Sequence, residues 1–371
     1  MSSIIHLTSV HPRYDTRIFL KMCRSLSAIG HDVTLIVADG KGAEQKEGIR
    51  ILDVGKSGGR LDRMTGATRR VLKAALELDA DLYHLHDPEM LPVGLRLKRQ
   101  GKRVIFDAHE DVPKQILSKS YLHPFVRKPI SMATAGFERF ACSRLDHVVA
   151  ATPAIRDKFA ALGIKSTDIN NFPMLGELDG AVPWGQKERE VCYVGGISAI
   201  RGIREVVAGM GLCRSGARLN LGGGFPESRV RADVERMPGW AAVNELGFLS
   251  RGQVREALGR SVAGIVTFLP EPNHIDAQPN KMFEYMSAGL PVIASGFPLW
   301  QEIVEGNDCG ICVDPLDPAA IAEAIDRLIE NPDLARRMGE NGRRAVHERY
   351  NWANEEKKLF ALYDAVVPGK L

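Results

Sequence analysis

The sequence predicts an α/β protein of two Rossmann-like domains facing each other across a cleft, and three observations predict it. Short β-branched runs alternate with helical patterns from one end of the chain to the other, the signature of βαβ units and mainly parallel sheets. The chain has 371 residues, enough for two cores, at roughly 100 to 200 residues per domain. The alternation breaks once, from Phe172 to Arg189, where Gly and Pro accumulate without any period.

In the first half, strands are expected from Ile4 to Val10, Asp32 to Ala38, Ile49 to Val54, Leu82 to His86, Arg103 to Ala108 and His147 to Thr152. Between the first two, Ile18, Met22, Leu26 and Ile29 fall at helical spacing, and Gly30 follows where a left-handed C-cap belongs. After the break the rhythm restarts, with strands expected from Val191 to Val194, Ala217 to Leu221, Val243 to Leu246, Ala263 to Phe268, Pro291 to Ala294 and Cys309 to Asp314. Asp317 and Pro318 read as N-cap and first residue of a helix that buries Ile321, Ile325, Leu328 and Ile329. Trp352 to Val367 reads as one more amphipathic helix. The domains are therefore expected at 1–172 and 173–350, with 351–371 returning to the first. Such pairs bind ligands outside the carboxyl ends of their strands.

Composition excludes several classes. Apolar residues make up 44% and charged residues 26%, so neither disorder nor a fibrous repeat dominates. A net charge of +3 argues against a general nucleic-acid binder. That total hides an asymmetry: residues 1–170 carry 27 Lys and Arg against 19 Asp and Glu (+8), and the remainder 22 against 27 (−5). The six cysteines lie mostly inside apolar runs, as buried thiols in a reducing compartment do. Cys309 and Cys312 have no second pair and stand on opposite faces of a strand, which argues against a redox or zinc motif. The N-terminus lacks the pattern of a signal peptide, and no window approaches the roughly 20 apolar residues of a membrane span. A cytoplasmic protein is expected, with peripheral membrane contact at most.

The richest stretch is DAQPNKMFEYMSAGLPVIAS, residues 276–295. A polar loop passes into a helix starting near Asn280, whose free N–H groups and partial positive charge suit a phosphate, and Lys281 adds a full charge. Glu284 lies one turn inside, able to accept from a ribose diol, and Asp276 stands eight residues before it. An ordinary loop, helix and strand with solvated charges satisfies the same pattern. An acid, seven residues, a glutamate and then EYMSAGLPVIAS resembles the donor-binding motif of retaining glycosyltransferase family 4, whose members have the GT-B fold. The resemblance implies that Glu284 binds the donor ribose, that Asp276 lies beside the transferred sugar, and that the backbone from Gln278 to Lys281 faces the diphosphate of a nucleotide-sugar donor. The family usually has Glu at the first position; here it is Asp276.

A second match, YVGGISAIRGIREVV at 193–207, is a strand, a Gly-rich turn and a helix, with Gly195 and Gly196 in the turn. The family usually supplies an Arg directly after the first glycine and a Lys further on. Here Gly196 holds the first position and Arg201 the second, and Lys281 is expected to compensate for the missing cation. Gly222, Gly223 and Gly224 resemble the family's next turn near the nucleotide, or are simply a tight strand-to-helix connection. Phe248 matches the position of the nucleobase pocket.

In the first half, FDAHEDVP puts His109 at the carboxyl end of a strand, and the resemblance implies that it hydrogen-bonds the transferred sugar. Glu110 and Asp111 beside it are candidate acceptor contacts, or acids decorating a helix start. His84 and His86 share a strand face; with no third ligand evident, packing accounts for them and no metal is assigned. In HPRYDTRIFLKM, a subset of bacterial polysaccharide-type members is similar; Arg13, Asp15 and Arg17 stand at the mouth of the first strand, with Arg17 on an acceptor diphosphate or paired with Asp15. Arg60, Arg63, Arg69, Arg70 and Lys73, with the FVRKP segment at 125–129, form either a solvated face or a docking surface for anionic lipid.

Together these imply a retaining, metal-independent glycosyltransferase without cofactor, its first domain binding a glycan or lipid-linked acceptor and its second the donor, in polysaccharide or glycoconjugate synthesis. A nucleotide-sugar epimerase of the same fold and a non-catalytic partner subunit are the alternatives.

Overall fold

The computed structural model describes residues 1–119, 121–178 and 182–367, without the Arg60 side chain. Part of the expected linker (179–181), the end of the last segment (368–371) and one cation of the basic stretch thus lie outside the described residues. The chain divides into two compact units, Met1–Asn171 with Trp352–Leu371, and Phe172–Asn351.

Among the described residues the N-terminal unit is built on eight strands: β1 (Ser3–Leu7), β2 (Asp32–Val37), β3 (Glu44–Lys46), β4 (Ile49–Asp53), β5 (Leu82–Leu85), β6 (Arg103–Ala108), β7 (His147–Ala150) and β8 (Ser166–Asp168). Their order is β3-β4-β2-β1-β5-β6-β7-β8, parallel except where β3 pairs antiparallel with β4. The short polar strands β3 and β8 carry no apolar run and were not expected. Ile5, Leu7, Tyr83, Leu85 and Phe106 are buried in one core. The first helical segment begins as a π turn, Ile18–Cys23, and continues as Arg24–Ala28. Ile18, Met22 and Leu26 face the core as their spacing requires, whereas Ile29 is 50% exposed, because the helix ends before it and Gly30 turns the chain with φ +92°.

Among the described residues the C-terminal unit has six strands: β9 (Glu190–Val194), β10 (Arg218–Gly222), β11 (Val243–Gly247), β12 (Ala263–Val266), β13 (Val292–Ser295) and β14 (Gly310–Val313). They run parallel in the order β11-β10-β9-β12-β13-β14. This is a doubly wound sheet that reverses between β9 and β12, and such reversals open a crevice at the carboxyl ends of the two central strands. β12 stops two residues earlier than expected: the Ser295 hydroxyl donates to the Phe268 carbonyl (2.7 Å) and Leu269 N–H to the Ile200 carbonyl (3.0 Å), drawing Thr267 to Leu269 out of the sheet and over that crevice.

Asp317 caps the helix Pro318–Glu330 by accepting from Ala319 N–H (2.9 Å). The last helix, Trp352–Val366, packs on the N-terminal unit: Trp352 Nε1 donates to Ser25 Oγ (3.0 Å), Glu355 accepts from Asn170 N–H (2.7 Å), and Tyr363 Oη meets His84 Nδ1 (2.7 Å). Among the described residues no helix is long and apolar enough to cross a membrane. All six cysteines are free thiols.

Candidate functional site

The crevice between β9 and β12 gathers the residues that the second half of the sequence singled out. The turn after β9 contains Gly195 and Gly196, with Arg201 just before the helix Ile203–Met210. The loop after β12 leads to the helix Asn280–Ser287, which starts behind Pro279 with no side-chain cap; the Met282 N–H donates to the Pro279 carbonyl (3.0 Å), so the Asn280 and Lys281 N–H groups are the ones such a start offers to a ligand. Lys281 lies in the first turn of that helix and points inward: a Cβ on Gly195 would stand 3.4 Å from its Cε.

Lys281 is the unusual member. Its ammonium nitrogen is buried without a hydrogen-bond partner, 3.6 Å from the centre of the Tyr193 ring and 5.5 Å from that of Phe268. Burial, and then the nearby Arg201 cation, hold its pKa well below the ordinary lysine value. Arg201 lies 5.5 Å from the same Phe268 ring and donates to the Gly196 carbonyl (3.2 Å). Thr267 Oγ1 and Gln278 Oε1, on the same loop, are also buried and unpartnered. Two cations over aromatic rings, with two polar groups and a helix start, form a site that an anion with several oxygen acceptors would complete.

Gly196 explains how this chain departs from the family turn. A Cβ there would lie 2.1 Å from Arg201 Nη1, so the arginine occupies the space that a side chain at 196 would need. Gly223 is needed for a similar reason: its φ is +140° and a Cβ would stand 2.0 Å from the Gly195 carbonyl oxygen, so the two turns meet backbone to backbone. Gly222 ends β10, and Phe248 lies over Gly224 with 90% of its surface exposed, an open aromatic face at the rim.

Glu284 is held by a residue that the sequence reading missed. Arg251 Nη1 donates to it (2.8 Å), while Arg251 Nε donates to Glu177 (2.7 Å). The signal was too weak to find, since Arg251 opens an unremarkable helix behind the Ser250 cap. Asp276 and Asn280 are exposed, and the Ala277 carbonyl between them accepts from Trp300 Nε1 (2.7 Å), pinning the loop.

In the N-terminal unit His109 follows β6, as expected, with its side chain 20% exposed. Its Nε2 lies 2.9 Å from Asp107, which is fully buried and also takes both Arg17 Nε (2.8 Å) and Nη2 (2.7 Å). Burial opposes ionisation of Asp107, but Arg17 and then His109 hold it well below the usual carboxylate range. Asp107, two residues before His109 and so on the same strand face, was missed.

Some of the remaining placements correct the expectations and others leave them standing. Arg13 is not available to an acceptor: it is buried between Asp39 (2.8 and 2.7 Å) and Glu44 (2.6 Å). The Arg17 guanidinium does not pair with Asp15 and is buried, because Asp107 and the Ile169 carbonyl (2.7 Å) take it. Asp15 instead accepts from the N–H groups of Arg17 (2.8 Å) and Ile18 (2.9 Å), as a helix cap does. Glu110 is exposed and accepts from Gln115. Asp111 caps the helix Val112–Leu117 and accepts from Lys158 (3.0 Å). His84 and His86 do have a third imidazole beside them, His6 of β1, which pairs with His84 in the sheet register. Arg63 and Arg70 of the basic stretch bind Glu89 (2.9 Å) and the Val54 carbonyl (2.8 Å).

Comparison with known proteins accords with this architecture. The sequence model of Glycosyltransferase Family 4 matches residues 16–172, and that of Glycosyl transferases group 1 matches residues 177–345. The sucrose-phosphate synthase of Thermosynechococcus elongatus superposes with a TM-score of 0.80 over 99% of both chains at 19% identity. Anabaena HepE in complex with UDP-glucose superposes with a TM-score of 0.75 over 98% of this chain and 100% of that one at 16% identity. The phosphatidyl-myo-inositol mannosyltransferase of Mycobacterium leprae is 24% identical over 310 residues, 80% of this chain and 77% of that protein. Against other curated relatives the matched segment is shorter, at 45% and 21% of their own lengths. Two Rossmann-like units with parallel sheets and these relatives define a GT-B glycosyltransferase. The two matches together span most of the chain, and the protein belongs to the family 4 type of that class.

Proposed function

We propose that the chain is a retaining glycosyltransferase that moves a sugar from a nucleoside diphosphate sugar to a glycan or lipid-linked acceptor in cell-surface polysaccharide or glycoconjugate synthesis. One observation carries the reading: the buried, unpartnered Lys281 ammonium beside Arg201 at an uncapped helix start. In this reading Arg201, Lys281 and the N–H groups at the start of Asn280–Ser287 hold the diphosphate and stabilise the charge that develops on it as the glycosidic bond breaks. Gly195, Gly196, Gly222 and Gly223 let the backbone approach it, and Phe248 offers its ring to the base. Glu284, fixed by Arg251, accepts from the ribose hydroxyls. His109, oriented by Asp107, contacts the transferred sugar, with Asp276 beside it, and Glu110 faces the acceptor. No metal is assigned to the diphosphate, since two cations supply the neutralising charge.

The acceptor arm draws on the helix Pro124–Cys142, which leaves Phe125 85%, Met132 67%, Phe140 48% and Phe137 42% exposed beside Arg127, Lys128 and Arg139. Apolar side chains interleaved with cations suit peripheral docking on an anionic, cytoplasm-facing membrane.

The reading is tested by a thermal-shift screen of nucleotide sugars, followed by turnover with the best donor and NMR of the product's anomeric configuration. A stabilising donor consumed only with acceptor present, with retention, is expected. Donor converted without acceptor indicates the epimerase, and no stabilising nucleotide sugar overturns the assignment. EDTA is expected to leave the rate unchanged.

A further inference from the structure

On one face of the N-terminal sheet, three imidazoles stand together. His6 on β1 pairs with His84 on β5, and His86 follows two residues after His84 on the same side. The His84 and His86 rings stack with centroids 4.4 Å apart, and those of His6 and His86 lie 5.1 Å apart at 12°. All three are fully buried or nearly so, and one nitrogen from each lies within 4.8 Å of one on each of the others.

The outward hydrogen bonds decide how these rings are used. His86 Nδ1 lies 3.2 Å from the Asp107 carboxylate, His84 Nδ1 lies 2.7 Å from Tyr363 Oη, and His6 Nε2 lies 3.3 Å from the same Oη. That leaves His6 Nδ1, His84 Nε2 and His86 Nε2. His84 Nε2 is buried and has no partner. His6 Nδ1 and His86 Nε2 are 2.8 Å apart. When the outward nitrogens carry the protons, the three inward ones present lone pairs that a shared cation would take; without a cation, a proton on His6 Nδ1 or His86 Nε2 joins that pair as an N–H···N bond and His84 Nε2 alone stays unpartnered. A second shell of one carboxylate and one phenol on the far nitrogens is the arrangement that orients imidazole ligands in metal sites.

We propose that His6, His84 and His86 together ligate one divalent transition-metal ion of the imidazole-preferring class, zinc foremost. Neutral, nitrogen-only ligands suit zinc, nickel, copper or cobalt and exclude calcium and magnesium. Neutral imidazole is the form that binds metal, and all three rings are buried away from water. Around one zinc with bonds of about 2.0 Å the ligand nitrogens stand about 3.3 Å apart, so the closest pair would open by about 0.5 Å. The ion cross-links β1 and β5 and, through Tyr363, secures the final helix. It is structural and separate from the proposed diphosphate site, so the inference stands independently of the transferase reading.

The test uses the untagged full chain, freed of metal by a chelator and then given cobalt(II) or zinc(II), both when folded and during refolding, to allow for the buried entry. One metal per chain retained through gel filtration, a cobalt ligand-field spectrum, a zinc absorption edge fitted by imidazole nitrogens, and a melting temperature raised by metal are expected. His84→Ala and His6→Gln should each lose the bound ion while keeping the far-ultraviolet dichroism of the parent. His109→Ala should keep it. If either histidine variant fails to fold, the zinc coordination of the parent protein decides the question. No stoichiometric metal in the folded parent, retention by His84→Ala, or loss in His109→Ala with retention in His84→Ala overturns the proposal; the last would place the ion on His86, Asp107 and His109.

Discussion

Replacing Lys281 by Met should make the free protein more stable and donor binding weaker, two effects of opposite sign from one side chain. In the free protein its nitrogen is buried with no hydrogen-bond partner, which costs about 1–3 kcal/mol. The face of Tyr193, 3.6 Å away, returns about 0.5–2 kcal/mol when the amine is charged. Methionine fills nearly the same volume without the polar end, so a gain of about 1 kcal/mol is expected, or about 2–4 °C in the melting temperature of a unit of this size. The sign follows from linkage: a lysine whose folded pKa is depressed favours the unfolded chain, and that penalty shrinks as pH rises toward 10.5. The diphosphate would supply the missing counter-charge, so removing the amine should cost about 1.5–3 kcal/mol of affinity, roughly 10- to 150-fold. Melting with and without ligand, and calorimetric titration of the nucleoside diphosphate that shifts the parent most, measure both. A variant that melts lower than the parent, or that binds as tightly, refutes the reasoning.

Three further outcomes are expected. In metal-free protein, acid should weaken the N-terminal unit, because His6 and His84 are held neutral by burial; their stabilisation is present above pH 6.5 and lost as pH falls, by up to about 1.4 kcal/mol each between pH 7.5 and 5.5. His11 opposes this in part: burial lowers its pKa, but Asp15 and Asp87 raise it overall. Urea titrations at several pH values should show the slope, reduced by one group's share in His84→Phe. Asp107→Asn should cost about 3–5 kcal/mol in the same assay by leaving the Arg17 guanidinium without its counter-charge. Gly196→Arg restores the cation usual in the family, and because its Cβ would meet only the flexible end of Arg201, Nη1 at 2.1 Å, the fold should tolerate it with Arg201 displaced; a melting temperature well below the parent's would contradict that.

The segments legible in the sequence are those whose meaning is local. Residues 276–295 form a loop, helix and strand from their own chemistry, and Asp317 with Pro318 starts a helix wherever it folds. What was illegible depends on strand order. Arg13 and Arg17 looked free because their carboxylates lie 26 and 90 residues away. The third imidazole escaped because His6 meets His84 only once β1 is known to neighbour β5. Asp107 was visible as a residue, but its part in holding His109 follows only from Arg17 reaching across to fix the carboxylate. Arg251 carries no motif at all. The strands β3 and β8, three polar residues each, give periodicity nothing to detect.

The two departures from the family's diphosphate turn are better understood as one change. With glycine at 196 the turn has no side chain there, and Arg201 folds back until its Nη1 lies against that glycine and its guanidinium faces Phe268. Lys281 then brings the second cation from a different element, through the first turn of the helix and over Tyr193. A turn that had merely lost its arginine would have no reason to keep a buried amine that lacks any hydrogen-bond partner and is disfavoured by Arg201. Buried polar groups that destabilise a fold persist where function requires them. The non-catalytic alternative draws on the departures at Gly196 and Asp276, so the Lys281 variant bears on the first of them: a protein that binds no donor would gain stability from methionine and lose nothing.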